Sequence, residues 1–169
     1  MPANSAKPVF LVDAGSDPVV VRIEGRANFK NCSCLRDFVT TMIHSGKRRF
    51  IFDFKECDTV DSTFLGVLAG AAIELKKSVP SGSLVAARVE PRNLELMRNL
   101  GLHRLLRIDG AAAANLDRCD TALVSPENSE VETARLVLKA HENLVQTDAA
   151  NEARFQDVVA FLRDRVAQG

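Results

Sequence analysis

The chain has 169 residues, 46% of them hydrophobic, which is enough for the packed core of one ordinary domain with an appendage. Its 22 acidic and 22 basic residues cancel, so no net field draws it towards nucleic acid or acidic lipid. Trp and Tyr are absent, and the nine Phe residues lie mostly in apolar stripes, which argues against a base-stacking surface for nucleic acid.

The N-terminus and the longest apolar run bear on location. Residues Met1 to Lys7 contain no basic segment followed by an apolar stretch of signal-peptide length. The run from Phe64 to Ile73 is shorter than the ~20 residues that a membrane-spanning helix needs. We therefore expect a cytoplasmic protein without direct membrane insertion.

The first half of the chain alternates strand and helix patterns. Two β-branched runs, Val9 to Val12 and Val19 to Ile23, flank a segment rich in turn formers and predict a hairpin. From Asn31, apolar residues recur at helical spacing until Gly46, where a helix end favours a residue that tolerates positive φ. Arg49 to Phe54 reads as a strand.

Similar signals continue to residue 108. They predict a helix from Phe64 to about Lys77, a strand at Ser83 to Ala87, a helix from Pro91 to Gly101 and a last strand at Leu105 to Ile108. Alternating strands and helices require crossovers between parallel strands, so we expect an α/β fold with a mixed sheet of about five strands.

Beyond Gly110 the sequence changes character. Ser129 and Glu132 have capping-box spacing, and two amphipathic helices follow, with a break near Thr147. We divide the chain into an α/β domain (1–110), a connecting segment (111–129) and a two-helix extension (130–169). This C-terminal helical hairpin either packs on the core or pairs with another copy to make a homodimer. Residues 111–124 are unassigned, with room for a short helix and an extended piece.

Catalytic and metal-binding patterns are absent from the sequence. The cysteines, at positions 32, 34, 57 and 119, show neither zinc-site nor secreted-disulfide spacing, so we interpret them as structural free thiols. The histidines, at positions 44, 103 and 141, have no partner at a recognised catalytic spacing. We expect no enzyme activity, no metal and no cofactor.

Gly66 and Gly70 give the central helix a small-residue face, which favours tight packing on the sheet over ligand access.

The segment Asp61-Ser62-Thr63 joins a strand-like region to the start of the central helix. A hydroxyl at this position can cap the helix, or it can carry a phosphate close to the positive end of the helix dipole. Ser62 is therefore a candidate switch.

Four pieces of the stretch from Val19 to Ile108 resemble the STAS domain, the family that includes the bacterial anti-sigma factor antagonists. They are Gly25 after a strand, Phe52-Asp53-Phe54, the run from Val60 to Leu68, and Asn99-Leu100-Gly101-Leu102. In antagonists of this type, the serine after the aspartate is phosphorylated by a partner that is both serine kinase and anti-sigma factor, and a phosphatase resets it. The resemblance implies a STAS-like sheet, and a signalling module in transcription regulation that binds its partner while Ser62 is unphosphorylated.

The same resemblance implies a partner-binding surface formed by Asp61, Ser62, Thr63 and Phe64. The family commonly has glycine where this chain has Phe64, so Phe64 is either an anchor for a different partner or a sign that the phosphorylation cycle has been lost. Two alternatives remain open. One is a constitutive structural or assembly subunit whose contact comes from the C-terminal hairpin, and the other is a STAS domain that binds a small ligand or nucleotide.

Overall fold

Eight short strands and five α-helices lie within residues 7–109 and 118–168, the part of the chain that the computed structural model describes. The strands are β1 (Phe10–Asp13), β2 (Val19–Ile23), β3 (Gly25–Ala27), β4 (Arg49–Asp53), β5 (Cys57–Val60), β6 (Ser83–Ala87), β7 (Arg107–Asp109) and β8 (Thr121–Ala122). The helices are α1 (Ser33–His44), α2 (Ser62–Lys77), α3 (Pro91–Asn99), α4 (Glu130–Thr147) and α5 (Ala150–Gln168). A short 3-10 helix, Leu102–Arg104, follows α3.

The main sheet has six strands in the order β7-β6-β4-β2-β1-β8. Strands β1 and β2 form the predicted antiparallel hairpin, and β8 pairs antiparallel with β1. Strands β2, β4, β6 and β7 are parallel, and successive helices make the crossovers between them. The expected mixed α/β sheet is therefore confirmed, with one more strand than predicted. Strands β3 and β5 form a separate parallel pair.

Alternation along the strands decides which face of the sheet carries the core. Phe50 and Phe52 of β4 belong to the main hydrophobic cluster, which also contains apolar residues of helices α1 to α4. Ile51, between them, points the other way, into a small cluster with Val20, Ala87 and Cys119. Because side chains alternate across a strand, the helices cover one face of the sheet, and α2 lies in the middle of that layer.

The predicted helices are all present, but some strands differ from expectation. Strand β7 begins at Arg107 because Leu105 and Leu106 complete the turn of the 3-10 helix, where Leu106 is buried. Strands β3 and β5 were not predicted, since three or four residues such as Cys57–Val60 carry almost no periodic signal. The unassigned segment 111–124 lies partly outside the described residues, and its described part contains β8.

Helix α4 begins with the predicted capping box. The backbone N–H of Glu132 donates to Ser129 Oγ (3.1 Å), and the N–H of Ser129 donates to Glu132 Oε1 (2.9 Å). From there α4 packs on the outer side of α2, and Leu136, Ala140 and Leu144 join the main core. The first alternative for the hairpin, packing on the core, is therefore the one observed within this chain.

Contrary to expectation, the small-residue face of α2 packs against α4 and not on the sheet. A Cβ atom added to Gly66 would lie 2.2 Å from the backbone oxygen of Ala140, and one added to Gly70 would lie 2.4 Å from Asn143 Nδ2. Asn143 Nδ2 also donates to the carbonyl of Gly66 (3.1 Å). The glycines therefore allow a close approach of two helices, and the expectation was wrong about which layer they face.

No helix among residues 7–109 and 118–168 has both the length and the apolar character required to cross a bilayer.

Candidate functional site at the start of helix α2

Asp61 is the residue that caps α2. Its backbone is extended (φ −113°, ψ 174°), and its Oδ1 accepts from the N–H of Phe64 at 2.8 Å. Its Oδ2 accepts from the N–H of Phe29 at 2.9 Å, which ties the loop after β3 to the start of the helix. The carboxylate therefore does the work of an N-cap, a role worth about 1 kcal/mol.

Ser62 is the first residue of α2, and its hydroxyl makes no capping bond. Instead, Ser62 Oγ lies 2.9 Å from Nε2 of His141 on α4. The other ring nitrogen, Nδ1, lies 2.7 Å from the carbonyl oxygen of Val137. A carbonyl oxygen can only accept, so Nδ1 carries a proton, and in the neutral ring the Ser62 hydroxyl donates to Nε2.

His141 connects three helices. It is only 4% exposed, and its ring meets the edge of the Phe155 ring of α5 at a centroid distance of 4.8 Å and an interplanar angle of 75°. Contacts therefore run from Ser62 of α2 through His141 of α4 to Phe155 of α5. A chemical change at Ser62 would act directly on the C-terminal hairpin.

Phe64 and Thr63 do not form a surface with Asp61 and Ser62, which corrects the predicted partner-binding set. Phe64 is 0% exposed; its ring stacks on Phe10 (6.1 Å, 11°) and meets Phe54 edge-on (6.1 Å, 74°). Thr63 is 4% exposed. These two side chains face the interior of the domain, so the partly exposed residues of the junction are Asp61 and Ser62.

A cavity of about 350 Å³ adjoins Ser62 between helices α2, α3 and α5. One part of its lining is polar and the rest is apolar. The polar residues are Asp61, Ser62, Asn99 and Arg154, and the apolar residues are Val60, Leu65, Leu96, Leu100 and Phe155. A cavity of this size and lining can take up a partner side chain or a group attached to Ser62.

None of the four cysteines lines the cavity beside Ser62. All are buried and free, as predicted. Burial raises the pKa of Cys32 and Cys57 to about 12 and that of Cys119 to about 11, and it also raises the pKa of Cys34. The thiols are therefore protonated at neutral pH, which makes them poor nucleophiles and poor metal ligands. Within residues 7–109 and 118–168 there is no cluster of His, Cys, Asp and Glu that could hold a metal ion.

Sequence reasoning missed the pairing of Ser62 with His141, because the two residues are 79 positions apart. One available signal was that α2 is apolar on every side, which is typical of a helix covered on both sides. Another was that His141 falls within the apolar stripe of α4, where a polar side chain needs a hydrogen-bonding partner.

Comparisons with known proteins agree with this architecture. A family profile described as "Mlab, STAS domain" matches residues 10–107. The structure of the anti-sigma factor antagonist SpoIIAA in its unphosphorylated form superposes with a TM-score of 0.51 at 21% identity, over 62% of this chain and 89% of SpoIIAA. A candidate anti-sigma factor antagonist from Thermotoga maritima superposes with a TM-score of 0.54 at 15% identity, over 65% of this chain and 93% of that protein.

At these identities, the two solved structures are evidence for a shared fold. No curated protein was found to match the chain. The profile match extends over more than half of the 169 residues, from β1 to the start of β7. The chain therefore belongs to the STAS domain family.

Proposed function

We propose that this protein is a cytoplasmic, non-enzymatic signalling module that binds a protein partner around the start of α2, and that phosphorylation of Ser62 controls the binding. The proposed partner is an anti-sigma factor that is also the serine kinase, with a phosphatase to reset the switch. Family membership and the fold shared with anti-sigma factor antagonists support this proposal.

The observation that carries the proposal is the division of roles between two adjacent residues. Asp61 caps α2, whereas the Ser62 hydroxyl is not needed to start the helix and borders a cavity that opens to solvent. Ser62 can therefore be modified without loss of the cap. A phosphate adds about −1.5 to −2 charges at neutral pH, a change that a helix N-terminus tolerates.

The effect on a docked partner follows from charge. A phosphate beside the Asp61 carboxylate would confront the partner with like charges, which in an interface can cost several kcal/mol. A cost of about 3 kcal/mol weakens binding roughly a hundredfold, because 1.4 kcal/mol corresponds to a factor of ten.

The test is affinity capture from native lysate with the wild type, Ser62→Ala and Ser62→Asp. We expect Ser62→Ala to retain the partner and Ser62→Asp to lose it. Incubation with the captured kinase should label the wild type and leave Ser62→Ala unlabelled. Equal labelling of both proteins would exclude Ser62 as the acceptor.

A second candidate function is a constitutive assembly subunit that docks through the C-terminal hairpin. It is favoured by an apolar pair on the outer side of α5, where Val158 is 42% and Phe161 is 68% exposed. This function requires that Ser62→Asp leaves the captured partner unchanged, while the double substitution Val158→Lys, Phe161→Lys abolishes capture. The opposite pattern supports the phosphorylation switch.

A further inference from the structure

The contact between Ser62 and His141 determines where a phosphate on Ser62 would go. The imidazole is 4% exposed and cannot turn away freely, since Nδ1 is bonded to the Val137 carbonyl and the ring packs against Phe155. Helix α4 packs tightly on α2 where Ala140 meets Gly66, so moving α4 away would lose that packing. A phosphate on Ser62 in the present side-chain orientation would therefore lie next to Nε2.

The chemistry of that contact changes when the hydroxyl is replaced. The Ser62 hydroxyl is a donor to Nε2, whereas a phosphate dianion can only accept hydrogen bonds. A lone pair on Nε2 facing phosphate oxygens is repulsive, so the contact becomes favourable once Nε2 also carries a proton. The imidazolium then donates from Nδ1 to Val137 and from Nε2 to the phosphate, a charge-assisted bond.

A further cation borders the cavity beside Ser62. Arg154 of α5 lines it together with Ser62, and Asp61 is the carboxylate in the lining. The other two arginines of α5 are paired, Arg163 with Glu142 (3.0 Å) and Arg165 with Glu130 (2.7 Å). The cavity volume of about 350 Å³ is many times the ~10–15 Å³ that one water molecule needs on the same measure, so the cavity has room for a phosphoryl group.

We infer that a phosphate on Ser62 would be bound within the molecule by His141 and Arg154, so that the C-terminal helical hairpin itself reads the modification. This inference rests on the proposed function, because it takes Ser62 as the modified residue. His141 and Arg154 are positioning residues here: they hold the phosphate against α4 and α5 and lower the charge that it presents to solvent.

The experiment uses the full chain with phosphoserine installed at position 62 during translation, so it requires no kinase. The pKa of the phosphate is measured by 31P NMR titration in the folded protein and in the same protein unfolded in urea. We expect the second pKa of the folded phosphoprotein to lie at least one unit below the value of ~6 that is usual for phosphoserine.

Comparing variants separates the effect of the hairpin on the phosphate pKa from the effect of the helix dipole, because the dipole lowers this pKa in every variant. His141→Gln and Arg154→Gln should each move the value back towards that of the unfolded protein, whereas Arg165→Gln, a matched arginine on the same helix outside the cavity, should not. Arg154 is exposed, so Arg154→Gln is expected to fold even if His141→Gln does not. A pKa that is the same in the wild type and in Arg154→Gln would overturn the inference.

Partner capture distinguishes the inference from the function on which it rests. A phosphate held by the hairpin, with partner binding unaffected by phosphoserine, would support the inference and exclude the proposed switch. A phosphate insensitive to both substitutions, with partner binding lost, would exclude the inference and support the switch.

Discussion

The architecture on which the site depends can be tested most directly at the contact between Gly66 of α2 and Ala140 of α4. In Gly66→Ala the new Cβ would lie 2.2 Å from the oxygen, 2.5 Å from the carbonyl carbon and 2.7 Å from the Cα of Ala140. All three are backbone atoms, so the strain cannot be relieved by a rotamer change. The helices must separate, and His141, one residue further along α4, must move away from Ser62.

The magnitude is the difference between two opposing effects. Forcing an extra methyl group into a packed interior costs about 1–3 kcal/mol, and more where backbone must move. Replacing glycine by alanine inside a helix returns about 1 kcal/mol of helix propensity. Because backbone must move, we take about 3 kcal/mol for the strain and subtract about 1 kcal/mol for helix propensity. We therefore expect Gly66→Ala to lower the free energy of unfolding by about 2 kcal/mol. That corresponds to a fall in Tm of roughly 4–8 °C for a chain of this length.

The assay is thermal and urea unfolding followed by circular dichroism, with two matched controls. Gly70→Ala, on the same face of α2, meets the end of the Asn143 side chain, which can move by giving up its hydrogen bond to Gly66, so we expect a smaller effect than in Gly66→Ala. Gly15→Ala meets no atom within 4 Å and should unfold like the wild type. A Gly66→Ala protein as stable as the wild type would show that α4 does not pack on α2 in this way, and the Ser62–His141 pair would then lose its basis.

Three further predictions concern neighbouring features. Asp61→Ala removes the cap and the bond to Phe29, and should lower the free energy of unfolding by about 1–2 kcal/mol in urea titrations, whereas Asp61→Asn, which keeps one acceptor oxygen, should cost less. Phe64→Ala should cost about 3–5 kcal/mol, as expected for a buried ring rather than a partner anchor, and a stable variant defective only in partner capture would contradict this. The cysteine thiols should resist a disulfide reagent at pH 8, because their raised pKa values keep them protonated, and should react once the chain is unfolded; rapid labelling of the native protein would refute their burial.

Elements with a strong periodic signal were predictable from the sequence, and pairings between distant elements were not. Pro91 and Gly101 placed α3, and Ser129 with Glu132 placed the start of α4, because caps are local chemistry. The face of α2 that packs on α4 is determined by tertiary packing. Small residues indicate that another element packs closely, without indicating whether it is the sheet or a helix.

Phe64 illustrates the same limit at the site itself. An aromatic residue beside a candidate switch resembles an anchor for a partner. Its position in the first turn of α2, however, directs the Phe64 ring into the core, against Phe10 and Phe54. Ser62, two residues earlier, points to α4 instead. Residues two positions apart on a helix lie about 200° apart around its axis, on nearly opposite sides, so the local sequence leaves their neighbours undetermined.

The separate roles of Asp61 and Ser62 also predict how phosphorylation affects the fold. Replacing the Ser62 hydroxyl leaves Nε2 of the buried His141 without its donor, at a cost of about 1–3 kcal/mol, while the cap at Asp61 is retained. Negative charge in the first turn of a helix returns about 0.3–1 kcal/mol through the dipole. The loss is the larger of the two, so Ser62→Asp should be less stable than the wild type by about 1–2 kcal/mol, a fall in Tm of roughly 2–8 °C. If Ser62→Asp were instead strongly destabilised, its loss of a partner would reflect unfolding, and only phosphoserine itself could then test the switch.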